Sequence, residues 1–273
     1  MPPSSMNDLF DFLSKLMTQH ASFFETMGAH MFRGFAVILL AWYGVKSALA
    51  SASGGAGFHF DQFAELLMTI SIGFAMITYY STPIPGFGVS FYHLIVDQGL
   101  DLSNRLNHSL VQEIWDRLGS LYWSLEMPTL ALNVVMVVHY TVTILCLVAA
   151  LASMFGVIAF GYVAAAVCVM LGPIFIPFFI VPRMEWLFWG WLRSLFQYAF
   201  YGTVANAYLY VFGSLLIHFV DSHPPPYDGA TLAVLFFPLV LLLIAFTYGI
   251  LKIPSLVNSI FTGRSGESGM VSL

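Results

Sequence analysis

Charge is what this sequence has least of. Of its 273 residues, 8% are Asp, Glu, Lys or Arg and 59% are hydrophobic, with a mean hydropathy of +0.84. A soluble domain carries about 25% charged residues, so that class is excluded. The formal net charge is -5 and no basic run occurs, which removes a nucleic-acid groove built on clustered Lys and Arg. Cysteine is down to two, Cys146 and Cys168. Both lie in apolar runs, where a thiol behaves as a small apolar side chain and says nothing about redox compartment. Catalytic signatures are missing too: there is no HExxH, GxSxG, GxGxxG, P-loop or CxxC. His59, Asp61, His218, Asp221, His223 and Asp228 stand at spacings that fit no metal pattern. We therefore expect no enzyme, no metal and no cofactor.

What is present is a series of long, continuous apolar runs, unlike the alternating ten-residue strands of a barrel. The reading is an all-α, polytopic helical membrane protein. It has about six apolar segments, five or six of them true spans, plus amphipathic extramembrane helices. Residues 1–28 form an amphipathic N-terminal helix, with Leu9, Leu13, Leu16, His20, either Phe23 or Phe24, and Met27 at helical spacing. Residues 29–82 form a two-span hairpin, at about 31–50 and 63–81, closed by a Thr-Pro-Ile-Pro-Gly breaker. The small residues at 48–52 resemble a signal-cleavage site, but the run before them is long, and the first span reads as an anchor. Residues 129–252 hold four apolar segments, at about 129–153, 156–181, 194–219 and 231–251, and 253–273 is a polar tail. No Asp, Glu, Lys or Arg stands mid-span, since Lys46, Glu65, Glu185 and Lys252 are near ends. Ion-coupled carriers need such groups, which weighs against the alternative function of a small-molecule permease.

The region 83–128 is amphipathic and extramembrane. Leu102, Leu106, Leu110 and Ile114 continue a stripe that runs from Phe91 through Leu94 and Ile95 to Leu118 and Leu121, with charged residues mostly opposite. Such a face binds a partner, or lies on the lipid surface.

The most informative stretch is GPIFIPFFIVPRMEWLFWGWLR, from Gly172 to Arg193. Pro173 and Pro177 each remove a helical N–H and crowd the carbonyl four residues back, and Pro182 follows. In lipid such a break needs neighbouring groups that satisfy the freed carbonyls. The aromatic belt Trp186, Phe188, Trp189 and Trp191, bracketed by Arg183 and Arg193, has the composition of a membrane–water boundary. The expectation is a bent span with a charged elbow anchored there. Small residues at Ala149, Ala152, Ser153, Gly156, Gly161 and Ala165 permit close helix approach, within the chain or at a subunit seam. His139 and Asn206 are the deepest polar residues, either functional or joined to another helix by a hydrogen bond.

The same stretch carries a family likeness. Leu171 to Arg183, Leu187-Phe188, Gly190 to Arg193, and the later Ile253-Pro254-Ser255-Leu256 with Gly263 resemble the TrbL-type polytopic inner-membrane proteins of type IV secretion and conjugation systems. The likeness covers about residues 30–263. It implies a bacterial inner-membrane, multi-pass channel or scaffold subunit that forms a homo-oligomeric ring at the base of the pilus. The implied partners are the minor pilin, the pilin, other inner-membrane subunits of the secretion complex, and membrane lipids, with transient contact to translocated DNA or protein. It implies no enzymatic activity. Six spans place eight of the nine Lys and Arg on one side, hence both termini in the cytoplasm; the resemblance favours an external N-terminus.

Overall fold

A chain with so few polar side chains must satisfy its backbone internally where lipid surrounds it, and helix does this within each segment. The computed structural model describes residues 3–53, 58–125, 134–223 and 229–262, with side chains at 22–53, 58–96, 113–125, 134–223 and 231–261. These residues form α1 (Pro3–Ala52), α2 (Phe60–Thr78), α3 (Phe91–Ser124), α4 (Val134–Phe175), a 3-10 segment (Ile176–Ile180), α5 (Glu185–Ala199), α6 (Tyr201–Asp221) and α7 (Gly229–Thr262). No strand occurs among them. Five stretches are long and apolar enough to cross a membrane: Ser22–Ala52, Phe60–Thr78, Val134–Ile180, Glu185–Asp221 and Thr231–Phe261.

Several boundaries differ from the sequence expectation. The segment expected at 194–219 starts at Glu185 and is interrupted at Phe200. Helix α7 continues to Thr262, so the region expected as a polar tail begins as helix with Ile253 and Val257 buried. The N-terminal amphipathic helix and the first span are one helix, since Gly28 alone separates them and a single glycine costs a helix only about 1 kcal/mol. The segments expected at 129–153 and 156–181 likewise merge, because Gly156 is the one weak helix former near their junction. At 42 residues, α4 is about 63 Å long, roughly twice the ~30 Å hydrocarbon thickness. Counted by order along the sequence, five candidate spans in place of six would divide the nine Lys and Arg four to five, so the charge count no longer chooses an orientation.

The chain divides into two compact units. The first comprises residues 1–98 and 163–199: α1, α2, the end of α4, the 3-10 segment and α5. Here α5 turns Phe188, Trp191, Leu195 and Ala199 inward at helical spacing. Gly73 of α2 lies where a Cβ would stand 2.7 Å from the Phe32 ring and 3.0 Å from Ile180, so α1, α2 and the 3-10 segment meet closely. Beyond Phe32, α1 exposes Val37, Ile38, Trp42, Val45 and Leu49, the surface a lipid-facing helix presents.

The second unit comprises residues 99–162 and 200–273. Its helices bury stripes that repeat every three or four residues: Thr143, Leu147, Ala150, Met154 and Val157 on α4, and Leu232, Leu235, Leu239, Leu243, Phe246, Ile250, Ile253 and Val257 on α7. A repeat near 3.5 is the seam of helices that cross at a shallow angle. On α6, Gly213 admits the Ile114 side chain of α3, and Tyr208 reaches α7, where Gly249 leaves room for its ring and its hydroxyl donates to the Phe246 carbonyl at 3.3 Å. An ion pair between Arg117 and Asp221, 3.1 Å apart and nearly half exposed on both sides, ties α3 to the end of α6. Pairs this exposed contribute under about 1 kcal/mol. Arg117→Ala is therefore expected to change detergent-solubilised thermal stability by no more than about 2 °C; a drop of 10 °C would show that the pair organises the unit.

Candidate functional site

The bend at the end of α4 is built around two carbonyls that proline sets free. Pro173 has no N–H to offer the Val169 carbonyl, and Pro177 has none for the Pro173 carbonyl. Both oxygens are met by other elements of the first unit. The Tyr80 hydroxyl donates to the Val169 carbonyl at 2.5 Å, across 89 residues of chain. A Cβ on Gly28 would fall on the Pro173 carbonyl group, 2.6 Å from its carbon. The glycine's own Cα–H therefore points at that oxygen, a weak C–H···O contact. One position before Val169, the Cys168 carbonyl accepts the Trp191 Nε1–H at 2.8 Å. Tyr80 lies two residues past its candidate span. Burial, with Tyr92 and Glu25 nearby, pushes its phenol well above the ordinary tyrosine range, so it stays protonated and remains a donor.

Gly172 makes this arrangement fit. A Cβ there would strike the Tyr80 hydroxyl oxygen and stand 2.7 Å from Cζ2 of Trp191. Tyrosine and tryptophan reach the proline-freed stretch only because residue 172 has no side chain. Beyond it, Pro177 opens the 3-10 segment. The Val181 N–H donates to the Phe178 carbonyl at 3.2 Å, and the Met184 N–H to the Val181 carbonyl at 2.8 Å. Those bonds turn the chain through Pro182 and Arg183, both exposed, into α5, which runs back so that Trp191 faces Cys168.

The aromatic residues that follow this turn divide. Trp186 and Trp189 point outward, as a boundary belt does. Trp191 is 5% exposed and is an internal brace rather than a boundary anchor; its Nε1–H donates inward to the Cys168 carbonyl. Arg193, two residues on, is exposed. Removing the Tyr80 hydroxyl tests the carbonyl argument. Tyr80→Phe should cost about 1–3 kcal/mol, the penalty of a buried unpaired acceptor. Adding Pro173→Ala returns a backbone N–H to the same oxygen, so the double variant should recover most of that loss in detergent unfolding. An equal loss in both would sink the account.

The other sequence-selected residues scatter. Gly161 and Ala165 are buried, and a Cβ on Gly161 would stand 2.9 Å from Cε1 of Tyr201, so both serve packing inside the chain. Ala149, Ala152 and Gly156 face outward, with open space at Gly156. The Ser153 hydroxyl donates to the Ala150 carbonyl of its own helix at 2.9 Å. The described contact of His139 is a ring stack on Phe236, centroids 4.1 Å apart. Its Nδ1 and the Thr143 hydroxyl, one turn on, are buried with no hydrogen-bond partner among the described residues. Asn206 is half-buried on α6. The side chains of Leu102, Leu106 and Leu110 lie outside the described residues, as does Gly263. Ile114, expected to meet a partner, is fully buried against α6, because Gly213 offers it a slot within the chain. Sequence reasoning missed Tyr80, Gly28 and Gly213. For Tyr80 no local signal exists, since its partner is 89 residues away.

Comparison with known proteins gives one family. The model of the TrbL/VirB6 plasmid conjugal transfer protein family matches residues 36–253. That range contains the proline-freed carbonyls, Tyr80, Gly172 and the elbow. Among curated proteins, none matches.

Proposed function

The chain belongs to the TrbL/VirB6 plasmid conjugal transfer protein family, and from this we propose that it is an inner-membrane channel or scaffold subunit of a type IV secretion machine. The protein is a multi-pass membrane component of conjugal transfer by its family and its five apolar candidate spans. On our reading, several copies form a ring at the base of the pilus and support both pilus assembly and the passage of DNA or protein. They do so in contact with the pilin, the minor pilin and other inner-membrane subunits. The observation that carries the reading is the family match across most of the chain, together with a braced, enzyme-motif-free helical body. We assign it no reaction and no cofactor: its work is to hold shape in lipid. Outward-facing Ala149, Ala152 and Gly156 leave a flat strip on α4 where a second helix can approach closely.

The test is a mating assay with donor cells that lack this protein. Loss of transfer, restored by the wild-type chain, is expected, together with a native mass of several copies after mild detergent extraction. Undiminished transfer without the protein would overturn the reading. Normal transfer from a strictly monomeric protein would overturn the ring alone.

A further inference from the structure

The pairing of α3 with α6 places charge where lipid is expected. Ile114 enters the slot at Gly213, and Arg117 reaches Asp221. The last turns of α3 therefore meet the last turns of α6 at these two points, and Ile114 lies at a level eight residues, about 12 Å, inside the end of that candidate span. At this level the two helices show opposite surfaces. Close to Gly213, α6 turns Tyr210, Val211 and Leu215 outward, each more than half exposed. Beside it α3 turns Glu113 and Asp116 outward, while Ile114, Leu118 and Leu121 are buried. Val211 and Leu215 suit hydrocarbon. Carboxylates at the same level do not: inside a membrane, ionised side chains face a bundle interior or a water-filled cavity.

We propose that Glu113 and Asp116 face a water-filled space at the depth of the last turns of α6, so that the α3–α6 pair is a wall with lipid on one side and water on the other. The inference rests on the chain being a membrane protein and not on its role in secretion. An amphipathic helix that covers a span with its apolar stripe and keeps its acidic face outward is the arrangement such a wall requires. Further along, Trp123 is 84% exposed on the same face as Asp116 and lies beyond the level of Asp221, where a tryptophan suits the headgroup boundary. The acidic lining prefers water and small cations to a polyanion.

Spin labels decide the matter. Single cysteines at 113, 116, 211 and 215, in a full-length chain with Cys146→Ser and Cys168→Ser, are labelled after reconstitution into lipid nanodiscs. Collision with oxygen, which concentrates in hydrocarbon, is compared with collision with a water-soluble nickel chelate. Labels at 113 and 116 are expected to favour the nickel chelate at least fivefold relative to those at 211 and 215. Oxygen-dominated relaxation at all four sites would put the carboxylate face in lipid and overturn the proposal. Nickel-dominated relaxation at all four would place the membrane boundary below Gly213, and overturn it equally. A conjugation defect plays no part in this readout, so failure of the secretion reading leaves it standing.

Discussion

Gly172→Leu is expected to leave almost no folded protein in the membrane. Even the first carbon of the new side chain would strike the Tyr80 hydroxyl and come within 2.7 Å of Trp191. Neither neighbour is free to move. Tyr80 holds the Val169 carbonyl and Trp191 the Cys168 carbonyl, so relief of the clash breaks at least one of these bonds. Overpacking of this kind costs about 1–3 kcal/mol, and a lost buried bond adds about 1–3 kcal/mol. Together they come to about 2–6 kcal/mol, comparable with the lower end of the ~5–15 kcal/mol that holds a typical domain together. Gly44→Leu is the control: residue 44 is exposed, a Cβ there meets nothing within 4 Å, and the change should be nearly silent in fold. The measurement is the amount of monodisperse protein recovered from membranes in mild detergent. Similar recovery of the two variants would show that the approach at Gly172 is not tight.

Trp191→Ala and Arg193→Ala should separate sharply, although sequence composition treats both as boundary anchors. Trp191 is buried beside Phe188, with ring centroids 5.8 Å apart, and donates to the bend. Truncation opens a large cavity and removes the Nε1–H bond to the Cys168 carbonyl, for about 3–5 kcal/mol. Trp191→Phe keeps much of the volume and loses only the donor, for about 1–2 kcal/mol. Arg193 is exposed, and its loss should stay within about 0.5 kcal/mol. Chemical unfolding in a single detergent ranks the three. If Arg193→Ala proves as damaging as Trp191→Ala, the brace described here is not what stabilises the first unit. A defect of Arg193→Ala confined to co-purification with partners would instead assign that residue to assembly.

What the sequence settles on its own is what depends on composition and local pattern. Sparse charge and long apolar runs require helices, because a backbone in lipid has no other economical way to pair its polar groups. The prolines at 173 and 177 mark the bend, because ring closure removes an N–H wherever the residue stands. The Gly-Pro and Gly-Trp-Leu elements are enough to suggest the family. The structure alone decides which groups answer those prolines. Tyr80 and Gly28 lie far from the freed carbonyls in sequence, and nothing in their immediate neighbours marks them. The structure also decides that Trp191 points in while Trp186 and Trp189 point out. It joins two expected segments into α4, and it turns Ile114 from a partner-binding residue into core. In each case the deciding quantity is the fit between surfaces distant in the chain, at Gly172, Gly28 and Gly213. A glycine's value there is the space it leaves for someone else's side chain or backbone, and only the packed structure shows whose.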